Sequence, residues 1–432
     1  MPRRLSRPPN ARRWGHLKKE VISTTAEAAR RLAVTKQHLA GPLPRRASPS
    51  DILAVVRDLA YVQWDPITIV APSHIISLWN RLGDFQLSDL ENLMWREKKL
   101  FEHWTPIASI VLTEDYPLYH SLMERYPQSL TKSWGSQRAR AAKFLAQHSR
   151  LRRSMLDQLR RGPLQLSQFE EYVKTKRSED GWSSGSDVSS MLFHLHMTGN
   201  VMVVGHEGNQ NVWGLTNSFL PAWVEKKPLS EKEFERRAAI RAIGALGTAT
   251  SKEIWYYFVR GRYENLKESL TKLEEDSTIT RVRLEGSETK EVRYICGDDV
   301  PLLKSMGGDS WEPRMSLIPP FDNMLAGNDR LNRLFGFKYV REQFLPLEKR
   351  KYGTYVLPIL YGSSYLGRLD PTMDREAKKL LINSVHAEPG APKDRAVGSM
   401  ISETVERFAE FLGAEEVVYT PHVPTQWKSS LR

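Results

Sequence analysis

The chain has 432 residues, too many for a single hydrophobic core, so roughly two to four domains are expected. Its 63 Lys and Arg exceed its 51 Asp and Glu, and the resulting net charge of +12 calls for a polyanionic partner, either nucleic acid or an anionic membrane. No apolar run reaches the ~18 residues of a membrane-spanning helix, and Cys296, the only cysteine, excludes an intramolecular disulfide and any cysteine-based zinc or iron–sulfur centre. The basic N-terminus lacks an apolar h-region, so no secretory signal is expected. Eleven histidines are scattered; His194 and His196, two apart in a predicted helix, face different sides and read as structural rather than as a metal pair.

Residues 1–20 carry Arg3, Arg4, Arg7, Arg12, Arg13, Lys18 and Lys19 among prolines and read as a disordered basic arm. Thr24 or Thr25 caps a predicted helix from Ala26 to Ala40, and Ser48 or Ser50 caps another from Asp51 to Ala60. A short strand at Gln63–Asp65 follows, then helices over His74–Leu82 and Asp89–Lys98. Extended runs at Leu100–Trp104 and Ile107–Leu112 complete a hairpin. Helix, short strand, two helices and a hairpin is the order of a winged helix-turn-helix.

The order recurs twice. A long basic helix is predicted over residues 138–161, with Arg138, Arg140, Lys143, Arg150, Arg152, Arg153, Arg160 and Arg161 against Asp157 alone. Leu164-Gln165-Leu166 fills its short-strand slot, helices run from Ser167 to Lys174 and from Asp187 to Thr198, and Val201–Val204 pairs with Val212–Thr216. In the third copy the first helix is Phe234–Leu246, Thr248-Ala249-Thr250 fills the slot, helices span Lys252–Val259 and Tyr263–Asp276, and the hairpin is Ile279–Leu284 with Glu291–Cys296. From Met315 the chain turns to short β runs at Tyr355–Tyr361, Tyr365–Leu369 and Leu380–His386, closed by a helix over Gly398–Leu412 and a strand at Glu416–Thr420. The fold class is therefore α+β: three tandem winged helix-turn-helix units (21–115, 116–226, 227–312) and a C-terminal β-barrel-like domain (313–432).

Ala60-Tyr61-Val62-Gln63-Trp64-Asp65-Pro66-Ile67 is the stretch with chemistry in it. On a strand, Gln63 and Asp65 share one face while Val62 and Trp64 pack on the other. A carboxylate beside an amide on a rigid element can activate water or stabilise a developing cation while the amide orients the water. The equivalent slots of the other copies hold Leu-Gln-Leu and Thr-Ala-Thr, so a charge stands only in the first. The bland alternatives are the wet face of an edge strand, or an Asp65 paired with Arg57 or Arg81.

The sequence resembles the winged-helix DNA glycosylases of the YcaQ/AlkZ type, which excise N7-alkylated purines and unhook interstrand crosslinks. The likeness rests on Val62-Gln63-Trp64-Asp65, Ser73-His74, Leu78-Trp79-Asn80-Arg81-Leu82-Gly83 and Leu100-Phe101-Glu102-His103-Trp104, and on Ala108-Ser109 and Asp115-Tyr116-Pro117. It continues in Ser316-Leu317-Ile318-Pro319-Pro320-Phe321-Asp322, Leu334-Phe335-Gly336-Phe337, Lys351-Tyr352-Gly353-Thr354-Tyr355-Val356-Leu357-Pro358 and Leu366-Gly367-Arg368-Leu369-Asp370. It departs from the family pattern at Trp64, where a smaller aliphatic residue is expected, and at Thr105-Pro106, where a histidine is expected. The resemblance implies Gln63 and Asp65 as the catalytic pair of a monofunctional hydrolase of the Gln-x-Asp branch, with Asp65 activating water and Gln63 orienting it. It implies no cofactor and no metal, a monomer acting on double-stranded DNA that carries N7-alkylguanine or crosslinks, and a cytoplasmic, nucleoid-associated location. Residues expected against DNA are His74 and Arg81 in the matching stretch, Arg138, Arg140, Arg150, Arg152 and Arg153 in the basic helix, and Arg330, Arg333 and Lys351 near the C-terminal domain. The rival reading is a non-catalytic winged-helix regulator; a metal-dependent nuclease would need clustered Asp, Glu and His ligands that the sequence does not group.

Overall fold

A computed structural model describes residues 21–105, 107–130, 135–171, 185–208, 210–286 and 291–431. The expected basic arm, Pro106 and most of the Gly/Ser loop after residue 180 lie outside the described residues.

Three times the chain builds helix, short strand, two helices and hairpin. In the first, helix α2 (Pro49–Leu59) is fixed at its start by a capping box in which Ser48 and Asp51 bond each other's backbone N–H. It leads to β2 (Val62–Gln63), α3 (Ser73–Leu82), α4 (Leu87–Glu91) with a π-helical turn over Asn92–Arg96, and the hairpin β3 (Leu100–Trp104) and β4 (Ala108–Leu112). α5 (Tyr116–Glu124) links this unit to the next. The predicted long basic helix is two helices, α6 (Gly135–Gln147) and α7 (Ser149–Leu159). The break falls at His148, which leaves helical geometry (φ −108°, ψ 33°) and stacks on Phe144 at 4.2 Å. β5 (Leu164–Gln165), α8 (helical over 166–171), α9 (Gly185–Met197) and the hairpin β6 (Val201–Glu207) and β7 (Gln210–Leu215) follow. After α10 (Thr216–Phe219) comes the third set: α11 (Glu231–Leu246), β8 (Ala249–Thr250), α12 (Ser251–Tyr257), α13 (Leu266–Glu275), β9 (Ile279–Leu284) and β10 (Arg293–Cys296).

The three sheets have one topology. The short strand pairs with the second hairpin strand, which pairs with the first: β2-β4-β3, β5-β7-β6 and β8-β10-β9, all antiparallel. The third carries an extra strand with no counterpart in the sequence pattern. β1 (Ile22–Thr24) runs parallel to β9, Ile22 opposite Val282 and Thr24 opposite Leu284. Its following helix α1 (Ala26–Lys36) packs on α11, on α14 (Val300–Ser305) and on α15 (Asn328–Phe335). β1 and most of α1 thus pack on the third unit, while Val34 and Leu39 enter a core of the C-terminal region.

The C-terminal region forms a five-stranded sheet in the order β11 (Met315–Leu317), β12 (Leu357–Tyr361), β13 (Ser364–Asp374), β14 (Lys379–Ala387), β15 (Glu416–Tyr419). Bulges at Ile359/Leu360 and Asp370/Pro371 curl it into a half-barrel. It does not close, because β11 and β15 remain unpaired edges. α16 (Arg395–Phe411) lays Val397, Ile401, Val405 and Phe408 into the core that this sheet shares with α2 and α3. A second core joins Tyr61, Phe101 and Tyr119 to α11, Tyr257 and Phe258. The first unit is therefore wedged between the third unit and the C-terminal sheet. No helix among the described residues is long and apolar enough to cross a membrane.

Candidate active site

Gln63 stands in the short strand of the first unit, opposite Ser109, and the ladder continues through Trp64, whose N–H donates to the Ala108 carbonyl at 2.9 Å. Pro66 cannot extend a ladder. From Asp65 the chain leaves the sheet, and strand alternation no longer governs that side chain. The loop is held from the C-terminal half-barrel: Met373 N–H donates to Ile69 O at 3.0 Å, and the Arg375 guanidinium bonds the Thr68 and Val70 carbonyls at 3.0 and 2.7 Å.

This pinning turns Asp65 inward, to 4% exposure. Its Oδ1 accepts the Ile67 N–H at 3.4 Å, and its Oδ2 is buried with no hydrogen-bond partner among the described residues. Neither Arg57 nor Arg81 pairs with it; Arg57 bonds Glu114, and Arg81 bonds Asp322. Burial therefore pushes the carboxyl from its ordinary 3.8 up to about 6, with the backbone N–H groups of Ile67 and Ser73 only partly opposing the rise. The buried Tyr355 phenol lies in the field of Asp65; burial first and that charge second push its own pKa up.

Trp64 is half-buried in an aromatic stack rather than lying wholly under the strand. Its ring is sandwiched between the His74 imidazole at 4.1 Å and the His206 imidazole at 4.7 Å. His206 comes from the second unit and its Nε2 meets Glu102 Oε1 at 2.5 Å. Burial, with His206 nearby, drives the His74 pKa down to about 3, so its ring is neutral.

Gln63 is half-buried and makes no side-chain hydrogen bond to a described residue. It lines a cavity of about 710 Å³ whose wall comes from all sides: Tyr61 from the first unit, Tyr257 and Arg260 from the third, Phe321 and Phe344 from the C-terminal region. A buried polar net braces the wall. Asn323 Nδ2 donates to Tyr61 O at 3.0 Å and to Tyr257 Oη at 2.9 Å, and Tyr257 Oη donates to Leu59 O at 2.9 Å. Tyr61 lies in the stretch singled out by sequence, but no sequence signal pointed to Tyr257, Arg260, Phe344 or His206, which come from segments far from it in the chain.

Several residues expected against DNA are interior. Arg81 is 3% exposed and forms a bidentate pair with Asp322 at 2.6 and 2.8 Å, so it is a strut between α3 and the C-terminal region. Arg330 is likewise buried, bonding Glu253 and the Thr248 and Leu246 carbonyls. His74 is buried under Trp64. In this conformation none of the three presents its side chain to solvent. Arg333 is exposed but already bonds Glu291 and Asp329. Arg138 folds back on the Leu130 carbonyl. Arg140, Arg150, Arg152, Arg153 and Lys351 are exposed, and among the described residues none of them has a carboxylate partner. The departure at Thr105 is structural: the residue is buried and its hydroxyl donates to Phe258 O at 3.2 Å.

A family model for DNA glycosylase AlkZ-like proteins matches residues 56–411. The chain belongs to the AlkZ-like DNA glycosylase family. Membership carries DNA repair glycosylase activity, a hydrolysis of N-glycosyl bonds, with DNA as the substrate. The fold is that of a solved member, the Streptomyces sahachiroi DNA glycosylase AlkZ, at 16% identity with a TM-score of 0.65, covering 93% of this chain and 100% of the other. The AlkZ-like match contains the whole of the Asp65 loop, the first sheet and most of the C-terminal half-barrel.

Proposed function

We propose that this AlkZ-like protein hydrolyses the N-glycosidic bond of N7-alkylated purines, and unhooks interstrand crosslinks made through that position, with Asp65 as the base and Gln63 as the group that orients water. The observation that carries the reading is the Asp65 carboxyl: buried, with one oxygen unpartnered and a pKa lifted to about 6. Such a group is mostly ionised at neutral pH yet has a proton affinity near the working pH, which is what a general base needs. Alkylation at N7 makes the leaving purine cationic, so no second carboxyl is required to protonate it. Asp65 is buried and does not line the Gln63 cavity, so in this reading DNA binding opens the 65–70 loop, and the freed Oδ2 then takes a proton from water or faces the positive charge that develops on the sugar. In this reading the three equivalent sheets are winged helices, the protein is a monofunctional enzyme acting as a monomer, and the unpaired arginines of α6 and α7 hold phosphates.

The test is single-turnover release of N7-methylguanine from duplex DNA, and of one arm of a nitrogen-mustard crosslink, by the wild type and by Asp65→Asn. The expected result is release by the wild type, slowed at least ~10²-fold in the variant. DNA binding, followed separately, stays unchanged or tightens, because a negative charge is removed. Equal release by both proteins overturns the assignment of Asp65. Gln63→Ala is expected to slow release less, and the double variant to be little worse than Asp65→Asn alone, since groups acting as a unit are not additive.

A further inference from the structure

The segment from Lys338 to Lys351 holds apolar side chains in solvent. Leu347 and Phe344, at 75% and 68% exposure, are the most exposed large apolar side chains among the described residues, and Val340 of the same segment is exposed at 54%. The segment is not loose. Its Glu342 carboxylate is buried and accepts the backbone N–H groups of Lys351, Tyr352 and Gly353 at 2.9, 2.7 and 3.2 Å. The Arg350 guanidinium bonds Leu345 O and Thr354 Oγ1 at 3.0 and 2.9 Å, and Tyr339 Oη donates to Val356 O at 2.8 Å. A loop tied at three points, with Glu342 consumed by backbone donors and Glu348 left as its exposed acid, keeps Leu347 and Phe344, the latter edge-on to the Phe321 ring at 6.1 Å, out of any core. Folding gains nothing from that arrangement.

Two features say what meets the tips. Phe344 and Val340 form the lip of the cavity that Gln63 lines, and two more exposed aromatics, Trp255 and Tyr256, stand across it. The tips are also flanked by exposed Lys338, Lys349 and Lys351, with the Arg341 guanidinium set over the Phe321 ring at 5.4 Å. Apolar wedges between cations are how proteins part a stacked base step while gripping the phosphates on either side. We infer that the 338–351 loop is a DNA wedge: Phe344 and Leu347 enter the base stack beside the damaged nucleotide, and the unstacked base is received by the aromatic lip of the Gln63 cavity. The inference rests on the DNA substrate and extends the proposed reaction by naming how the lesion is separated from its neighbours.

The test uses the full chain and a duplex with 2-aminopurine next to N7-methylguanine, since 2-aminopurine is dark when stacked and bright when parted. Wild-type protein is expected to raise the fluorescence on binding. Phe344→Ala with Leu347→Ala removes most of that rise and weakens binding by about tenfold, while the control Leu87→Ala, at an exposed site off the cavity, changes neither. The same rise with the double variant, or no rise with wild type on DNA it demonstrably binds, overturns the wedge. Binding of wild type to phosphatidylserine vesicles that the double variant loses, with fluorescence on DNA unaffected, assigns the tips to a membrane and also overturns it. Base release is scored in the same tubes: release without a fluorescence change sinks the wedge alone, and a fluorescence change without release sinks the proposed reaction alone.

Discussion

Asp65→Asn is expected to make the protein more stable while it loses activity. In the folded state the carboxyl holds its proton up to about pH 6, whereas in the unfolded chain it releases it near 3.8. Between those values the folded state binds more protons, so stability falls as pH rises through the window, by about 1.36 kcal/mol per pH unit crossed. The window is about two pH units wide, so the buried charge costs roughly 3 kcal/mol at neutral pH, all of it absent below about pH 4. Asparagine keeps the shape and carries no charge, but the Ile67 and Ser73 N–H groups suit only its oxygen and leave its amide NH2 unpartnered, so recovery of ~1–2 kcal/mol is the realistic figure. Urea unfolding of both proteins at pH 4, 5, 6, 7 and 8 reads it directly. The stability gap should open between pH 4 and 6 and stay flat above. In parallel, the wild-type rate of base release should fall about tenfold per pH unit below 6. A variant that is less stable than wild type at pH 7, or a gap that does not change with pH, refutes a buried and unpaired carboxylate at this position.

Other expectations follow from the same geometry. Arg81→Met strands the Asp322 carboxylate in the interior and should cost ~3–5 kcal/mol in urea unfolding; adding Asp322→Leu should return much of it, and failure to do so would mean the pair is not isolated. Replacing Arg150, Arg152 and Arg153 of α7 together by Ala should weaken DNA binding and flatten the log–log salt slope by about 2–3, leaving release at saturating DNA unchanged; an unaltered slope removes α7 from the interface. Trp64→Ala should cost less than the ~3–5 kcal/mol of a wholly buried tryptophan, because the ring is only half-buried. It should also free the His206 ring, visible as a sharpened imidazole resonance; a full-sized loss of stability would place Trp64 deeper than the stack does.

The units were legible because their signals are local. Capping residues, the slot of a short strand and two apolar runs around a turn predict most of the units' helices and hairpins within a few residues, as at Ile279–Leu284, though not the break at His148 that splits the basic helix. What failed was set by distant partners. β1 is three residues long and exists because β9 offers it an edge, so no periodicity marks it. Arg81 and Arg330 look the same in sequence as Arg150; only Asp322 and Glu253, brought in by the fold, make them interior. Strand alternation placed Gln63 but not Asp65, because Pro66 ends the ladder and Arg375, far along the chain, holds the loop that follows.

The pairing of β1 with β9 also sets an order of assembly. Ile22 is made early and its partner Val282 late, so the edge of β9 and the face that α1 covers stay open until most of the chain exists. Contacts this distant in sequence slow the final closure and keep a bare strand edge available to other molecules meanwhile. Once closed, they fasten the beginning of the chain to its third sheet. The large apolar clusters join the first unit to the third and to the half-barrel, whereas the second unit, which lends them Met202, keeps most of its apolar side chains in a cluster of its own around Met155, Phe169 and Leu195. Heating should accordingly melt the first unit, the third unit and the half-barrel as one cooperative block, with the second unit the part able to open by itself.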